Sequence, residues 1–107
     1  MGRAVEHINL AGGGGNSDVW CQIFSDVLNM EVRQVKDPIQ ANARGAAFIA
    51  AVGLKAIAFA DVPGLVQFNR VYQPAPQHRQ LYDDRYQTYV EIYRQMHGIY
   101  QKLNRQD

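Results

Sequence analysis

The first apolar positions, Val5, Ile8 and Leu10, alternate only roughly with polar neighbours over residues 4–11 before the chain enters four consecutive glycines. This pattern predicts a short buried strand ending at Ala11. Gly12 to Gly15 read as a turn, because each glycine inside a helix costs about 1 kcal/mol relative to alanine. Val19, Trp20, Ile23, Phe24, Val27 and Leu28 then recur at helical spacing and predict a helix over 17–29. Ser17 or Asn16 suits its N-cap, and Asp18 suits its first turn.

Glu31 to Val35 places Val32 and Val35 among polar residues and predicts a second short strand, closed by Asp37-Pro38. Residues 40–53 predict a helix of small residues, with Ala41, Ala43, Gly45, Ala46, Ala47, Ala50 and Ala51 allowing close backbone approach. Phe48, Ile49 and Val52 supply its bulk, and Gly53 suits its end. Residues 56–68 are ambiguous between a turn of helix and a loop around Pro63-Gly64. Pro74 and Pro76 mark an extended connector. Beyond it Tyr82, Tyr86, Tyr89, Tyr93, Met96, Tyr100 and Leu103 repeat at spacings of 4, 3, 4, 3, 4 and 3, one stripe along a helix of 78–104. The order strand, turn, helix, strand, helix and long helix predicts part of an α/β domain with short parallel strands.

Composition narrows the function classes. A chain of 107 residues with 47% hydrophobic side chains is one small domain or part of one, and is not a disordered chain. Eleven basic and ten acidic side chains, scattered without a dense run, argue against a nucleic-acid surface. Lys55, Asp61 and Pro63 interrupt the longest apolar stretch, so no membrane span is expected. The N-terminus lacks the apolar core of a signal peptide. A single cysteine, Cys21, forms no internal disulfide, and the cytoplasm is the expected compartment.

A strand running through glycines into a helix has a physical use. Without side chains the backbone approaches an anion closely, and the N–H groups of the turn and of the helix start point at it. Phosphate binding is the functional reading, and a tight turn that binds nothing is the structural one. A Walker A loop is excluded, because no Gly-Lys-Ser/Thr tripeptide occurs. A dinucleotide fingerprint is suggested by Gly13-x-Gly15 and by Asp37 about 20 residues on. It is disfavoured because Asp18 replaces the third glycine, where it would crowd the packing and repel a pyrophosphate.

In context the turn matches something more specific. Residues 12–28, Gly-Gly-Gly-Gly-Asn-Ser-Asp-Val-Trp-Cys-Gln-Ile-Phe-Ser-Asp-Val-Leu, resemble the second nucleotide motif of the FGGY carbohydrate kinases, especially their xylulokinase-like branch. The glycines, Ser17, Trp20, Gln22, Ile23 and Asp26 coincide with that motif. Residues 43–51 are similar to the family's small-residue helix, and Tyr72-x-Pro74 with the tyrosine-rich helix is similar to its C-terminal tail. The sequence departs from the family at Gly15 and Ser25, where alanine is usual, and near Gln40, where an acidic residue often opens the small-residue helix.

The resemblance implies part of an actin-like, ribonuclease-H-like ATPase domain, with residues 1–107 as one partial domain. It implies ATP and Mg²⁺ as requirements of the complete kinase, which phosphorylates a sugar or polyol hydroxyl. Gly13, Gly14 and Gly15 would serve the phosphate side, with Asn16 and Ser17 near the nucleoside. The family's general base and sugar contacts lie upstream of this region, so no catalytic residue and no metal ligand is assigned. The chain by itself is expected to be inactive, with the sugar substrate bound only alongside the missing N-terminal part. The alternative is a non-catalytic association or regulatory module derived from such a kinase, with homo-oligomerisation left open.

The remaining residues invite plainer readings. Trp20 suggests core packing, Asp26 a solvated or capping carboxylate, and Cys21 a buried or bystander thiol. His7, His78 and His97 show no ligand spacing. The tyrosine stripe could stack bases or pair with a partner helix, but packing into a core is the expected role.

Overall fold

The computed structural model describes residues 5–104. Ala4, expected to open the first strand, lies outside the described residues. Strand β1 (His7–Leu10) leads through the glycine turn into helix α1 (Asp18–Leu28), and strand β2 (Glu31–Val35) returns parallel to β1. Their register pairs Ile8 with Val32 and Leu10 with Gln34. The predicted parallel pair and its crossover helix are therefore present. Ser17 caps α1 by accepting a hydrogen bond from the Trp20 N–H at 3.3 Å, and Asn29 ends it in the left-handed region at φ 51°. Both are roles these short polar side chains fill readily.

After Asp37, also left-handed at φ 47°, Pro38–Gln40 form a 3₁₀ turn that opens helix α2 (Ala41–Gly53). Residues 56–68 resolve into a 3₁₀ turn (Phe59–Asp61) and the one-turn helix α3 (Val62–Leu65). Strand β3 (Phe68–Tyr72) follows and pairs antiparallel with β2, so the sheet order is β1-β2-β3. This strand was not expected. Its pairing carries an irregularity at Gln34/Val35, and Asn69, Arg70 and Val71 face solvent, so Phe68–Tyr72 shows no clean alternation of burial. Pro76–His78 then turn the chain into helix α4 (Arg79–Leu103).

The core is small. Cys21, Val32 and Tyr72 are buried together, with Ile8 and Leu10 packed against them. Cys21 is thus the buried thiol that was expected. Trp20 is not core: it is 53% exposed, its ring 6.0 Å from that of Phe24. The reason lies in α1, whose inward face consists of Cys21, Ser25 and Asp26, while Val19, Trp20, Phe24, Val27 and Leu28 face outward. The tyrosine stripe likewise departs from its expected burial. α4 has no buried residue, and Tyr86, Tyr89, Tyr93 and Tyr100 are exposed because no described element lies across the stripe.

Candidate functional site

Gly12 follows β1 with φ +78°, a conformation that favours glycine, and its N–H donates to the Pro38 carbonyl at 2.8 Å. That bond ties the glycine turn to the turn that opens α2. Gly14–Asn16 then make one turn of 3₁₀ helix. The Gly15, Asn16 and Ser17 N–H groups donate back to the carbonyls of Gly12, Gly13 and Gly14 at 3.1, 3.2 and 3.3 Å. Among the described residues the N–H groups of Gly13 and Gly14 have no hydrogen-bond partner. A Cβ built on either would meet nothing within 4 Å. These two donors stand at an open backbone surface, the arrangement an anion can use.

Gly15 differs from them. It is buried, and a Cβ there would lie 3.1 Å from both the Leu10 carbonyl oxygen and the Pro38 Cβ. Its carbonyl accepts from Gln34 Nε2 at 2.9 Å, and Cys21 Sγ lies 3.7 Å away. Asn16 shares a cavity of about 240 Å³ with Asp37, Pro38, Ile39 and Gln40. Arg44 braces the far wall by donating from Nη2 to the carbonyls of Lys36 and Asp37. Ser17 uses its hydroxyl to cap α1. The five residues singled out in the sequence therefore lie together, with Gly13 and Gly14 offering donors, Gly15 close packing and Asn16 a cavity wall.

Asp18, which follows them, is turned toward the sheet. Its Oδ1 accepts from the Tyr72 hydroxyl at 2.8 Å and from Gln34 Nε2 at 3.3 Å, with Arg70 3.9 Å from Oδ2. The Tyr72 hydrogen bond, then that of Gln34, holds the Asp18 carboxyl below its ordinary range. Burial, followed by the bond to Asp18, pushes the Tyr72 phenol up to about 12.

A second polar cluster lies two turns along α1. Asp26 is buried rather than solvated, which corrects the plain reading of its carboxylate. Oδ1 accepts from Gln22 Nε2 and the Ala75 N–H, both at 2.8 Å, and Oδ2 lies 2.7 Å from His78 Nδ1. Arg79 donates to the Asp26 carbonyl at 3.0 Å. Burial opposes ionisation of Asp26, yet the bonds from His78, Ala75 and Gln22 outweigh it and leave the carboxyl lowered. His78, unassigned from sequence, thus anchors the start of α4. The available signal was the i, i+4 pair Gln22 and Asp26, both within the glycine-turn motif. For Gln34 the signal was a polar residue on the inward side of a strand, between two buried valines.

Residues 1–54 match the family model described as FGGY family of carbohydrate kinases, C-terminal domain. The autoinducer-2 kinase of Enterobacter sp. (strain 638) is 35% identical over 100 residues, 92% of this chain and 19% of that protein. The xylulose kinase of Staphylococcus epidermidis is 31% identical over 96 residues, 88% of this chain and 19% of that protein. The crystal structure of ligand-bound xylulose kinase from Lactobacillus acidophilus superposes with a TM-score of 0.80 at 25% identity, over 92% of this chain and 20% of that one. The chain thus spans about a fifth of the length of the relatives it matches. Its α/β fold is part of an actin-like ATPase domain, as the sequence implied. With half of its residues inside the family model and its fold shared nearly end to end, the chain belongs to the FGGY family of carbohydrate kinases.

Proposed function

We propose that residues 1–107 form one partial domain supplying the nucleotide-binding portion of an ATP-dependent carbohydrate kinase, inactive without the rest of the enzyme. The observation that carries this is the pair of unpartnered N–H groups at Gly13 and Gly14, on backbone with no side chain in front of it. The phosphates of ATP sit against these donors and the closely packed Gly15, while the nucleoside lies toward Asn16 and Ser17 and the wall made by Asp37–Gln40. Phosphoryl transfer needs chiefly positioning and charge stabilisation, and backbone donors supply both. The acceptor is a sugar or polyol hydroxyl, bound by the part of the kinase this chain does not contain. Among the described residues no group of three or more His, Cys, Asp or Glu is placed to hold a metal ion. In the complete kinase a Mg²⁺ ion would be held chiefly by the nucleotide's phosphates and water rather than by a carboxylate cage of these residues, and would neutralise phosphate charge. A reducing, cytoplasmic setting belongs to the same reading. No described helix is long and apolar enough to cross a membrane.

Calorimetric titration with Mg-ADP and Mg-ATP tests the proposal, with Gly14→Asp as the control. That substitution adds a carboxylate in open space, so the fold survives while an anion is repelled. The expected result is binding by the native chain that Gly14→Asp removes. Unchanged binding in Gly14→Asp, or none by folded native chain up to about 1 mM nucleotide, contradicts it.

One observation favours a second reading, the non-catalytic association module. α4 leaves its stripe uncovered, and Gly45, Phe48, Ile49, Val52, Phe59 and Val62 line an open apolar groove of about 440 Å³. The two readings separate on nucleotide binding, and on whether an added N-terminal kinase part restores turnover.

A further inference from the structure

Three polar side chains, Gln34, Asp18 and Tyr72, form a linked set beneath the glycine turn, and Gln34 joins that set to the turn. Gln34 of β2 is 5% exposed, and Tyr72 of β3 is 4% exposed. Gln34 Nε2 donates to the Gly15 carbonyl at 2.9 Å and lies 3.3 Å from Asp18 Oδ1. The Tyr72 hydroxyl donates to the same Oδ1 at 2.8 Å. Arg70 sits on the outer side of this set, its guanidinium carbon 5.2 Å from the Tyr72 ring centroid and Nη1 3.9 Å from Asp18 Oδ2. The Gly15 carbonyl is thereby bonded to β2 through Gln34 and linked onward through Asp18 of α1 to Tyr72 of β3.

We infer that Gln34, Asp18 and Tyr72 form a positioning bracket that holds the glycine turn in the conformation used for nucleotide. This rests on the reading of the turn as a nucleotide site. Four successive glycines lose more backbone freedom on ordering than any other four residues. A turn held only by its own 3₁₀ bonds would have to be ordered by the ligand, and affinity would fall accordingly. The bracket removes that requirement. It fixes the Gly15 carbonyl inward, so the internal bonds from Gly15, Asn16 and Ser17 N–H form in register and Gly13 and Gly14 N–H are left over as donors. Asp18 thus has a use that a carboxylate beside an anion site otherwise lacks: its charge is directed to Tyr72, Gln34 and Arg70.

The test compares Tyr72→Phe and Gln34→Met with Ser25→Ala. The last removes a buried hydroxyl that donates to the Met30 and Tyr72 backbone carbonyls at 2.7 and 3.2 Å, leaving the side-chain hydrogen bonds of Gln34, Asp18 and Tyr72 in place. Two quantities are read on each folded chain: amide hydrogen exchange at Gly15, Asn16 and Ser17, and Mg-ADP affinity by calorimetry. Both bracket variants should exchange at least about fivefold faster at these amides and bind Mg-ADP more weakly by a similar factor, with Ser25→Ala near native in both. Unchanged exchange in Tyr72→Phe and Gln34→Met, or equal acceleration in Ser25→Ala, overturns the bracket. Should the native chain bind no Mg-ADP, the nucleotide reading falls and the exchange comparison alone decides whether the bracket orders the turn.

Discussion

Asp26 and His78 are 52 positions apart in the chain and meet at 2.7 Å. The buried carboxylate has donors on both oxygens, so removing it leaves the Ala75 N–H, Gln22 and His78 without their acceptor. Asp26→Ala should cost about 1.5–3 kcal/mol in denaturant unfolding, the range for hydrogen bonds to a charged group. The pH dependence follows from the same contacts. Because folding lowers the Asp26 carboxyl, its contribution is present above the unfolded value near 4 and is lost as pH falls through the lowered folded value. Tyr72 acts on the alkaline side. Its raised phenol contributes below the unfolded value near 10 and loses that contribution as pH rises toward about 12. Unfolding midpoints across pH should therefore fall at both extremes, with Tyr72→Phe removing the alkaline phenol titration and Asp26→Asn flattening the acid limb. Glycines within one turn should respond oppositely. Gly15→Val must displace the Leu10 carbonyl or Pro38 and should cost about 1–3 kcal/mol, whereas Gly14→Ala meets open space and should leave thermal stability near native.

At the scale of elements, α4 carries one correctable weakness. Gly98 lies inside the helix, and a Cβ there meets nothing within 4 Å. Gly98→Ala should stabilise α4 by about 0.8–1 kcal/mol, seen as a higher midpoint in thermal circular dichroism. α4 was also the element most legible in the sequence, because its stripe held one period from Tyr82 to Leu103. α1 was legible from Ser17 and the following apolar spacing, and β2 from Val32 and Val35. β3 was hidden because an edge strand with three exposed central residues lacks a period-2 pattern. The glycine turn could be picked out by composition alone. The contacts beneath it could not: Gln34, although marked as a polar residue between two valines, meets the Gly15 carbonyl, and Tyr72 meets Asp18, across the sheet, and local pattern does not encode tertiary contact. Trp20 shows the converse limit: periodicity marks an apolar face but not what covers it.

The radius of gyration of the described chain is 19.1 Å, against about 13 Å for a compact domain of this length. Apolar side chains on α1, α2 and α4 stand uncovered, with Tyr89 66% exposed. Surface of this kind drives association. The chain alone should therefore elute with a mass above 12.1 kDa in light scattering at micromolar concentration and should bind an apolar dye. A dye-free monomer would show that these faces close on themselves in solution. The chain spans about a fifth of the length of relatives that include both an autoinducer-2 kinase and a xylulose kinase, so the similarity by itself singles out neither substrate. What this chain can be asked about is the nucleotide, and the most direct measurement is amide NMR on ¹⁵N-labelled protein titrated with Mg-ADP. The account predicts saturable shifts greatest at the Gly13 and Gly14 N–H groups and at Asn16, absent in Gly14→Asp. Shifts confined to other surfaces, or none at these amides in the folded chain, would contradict it.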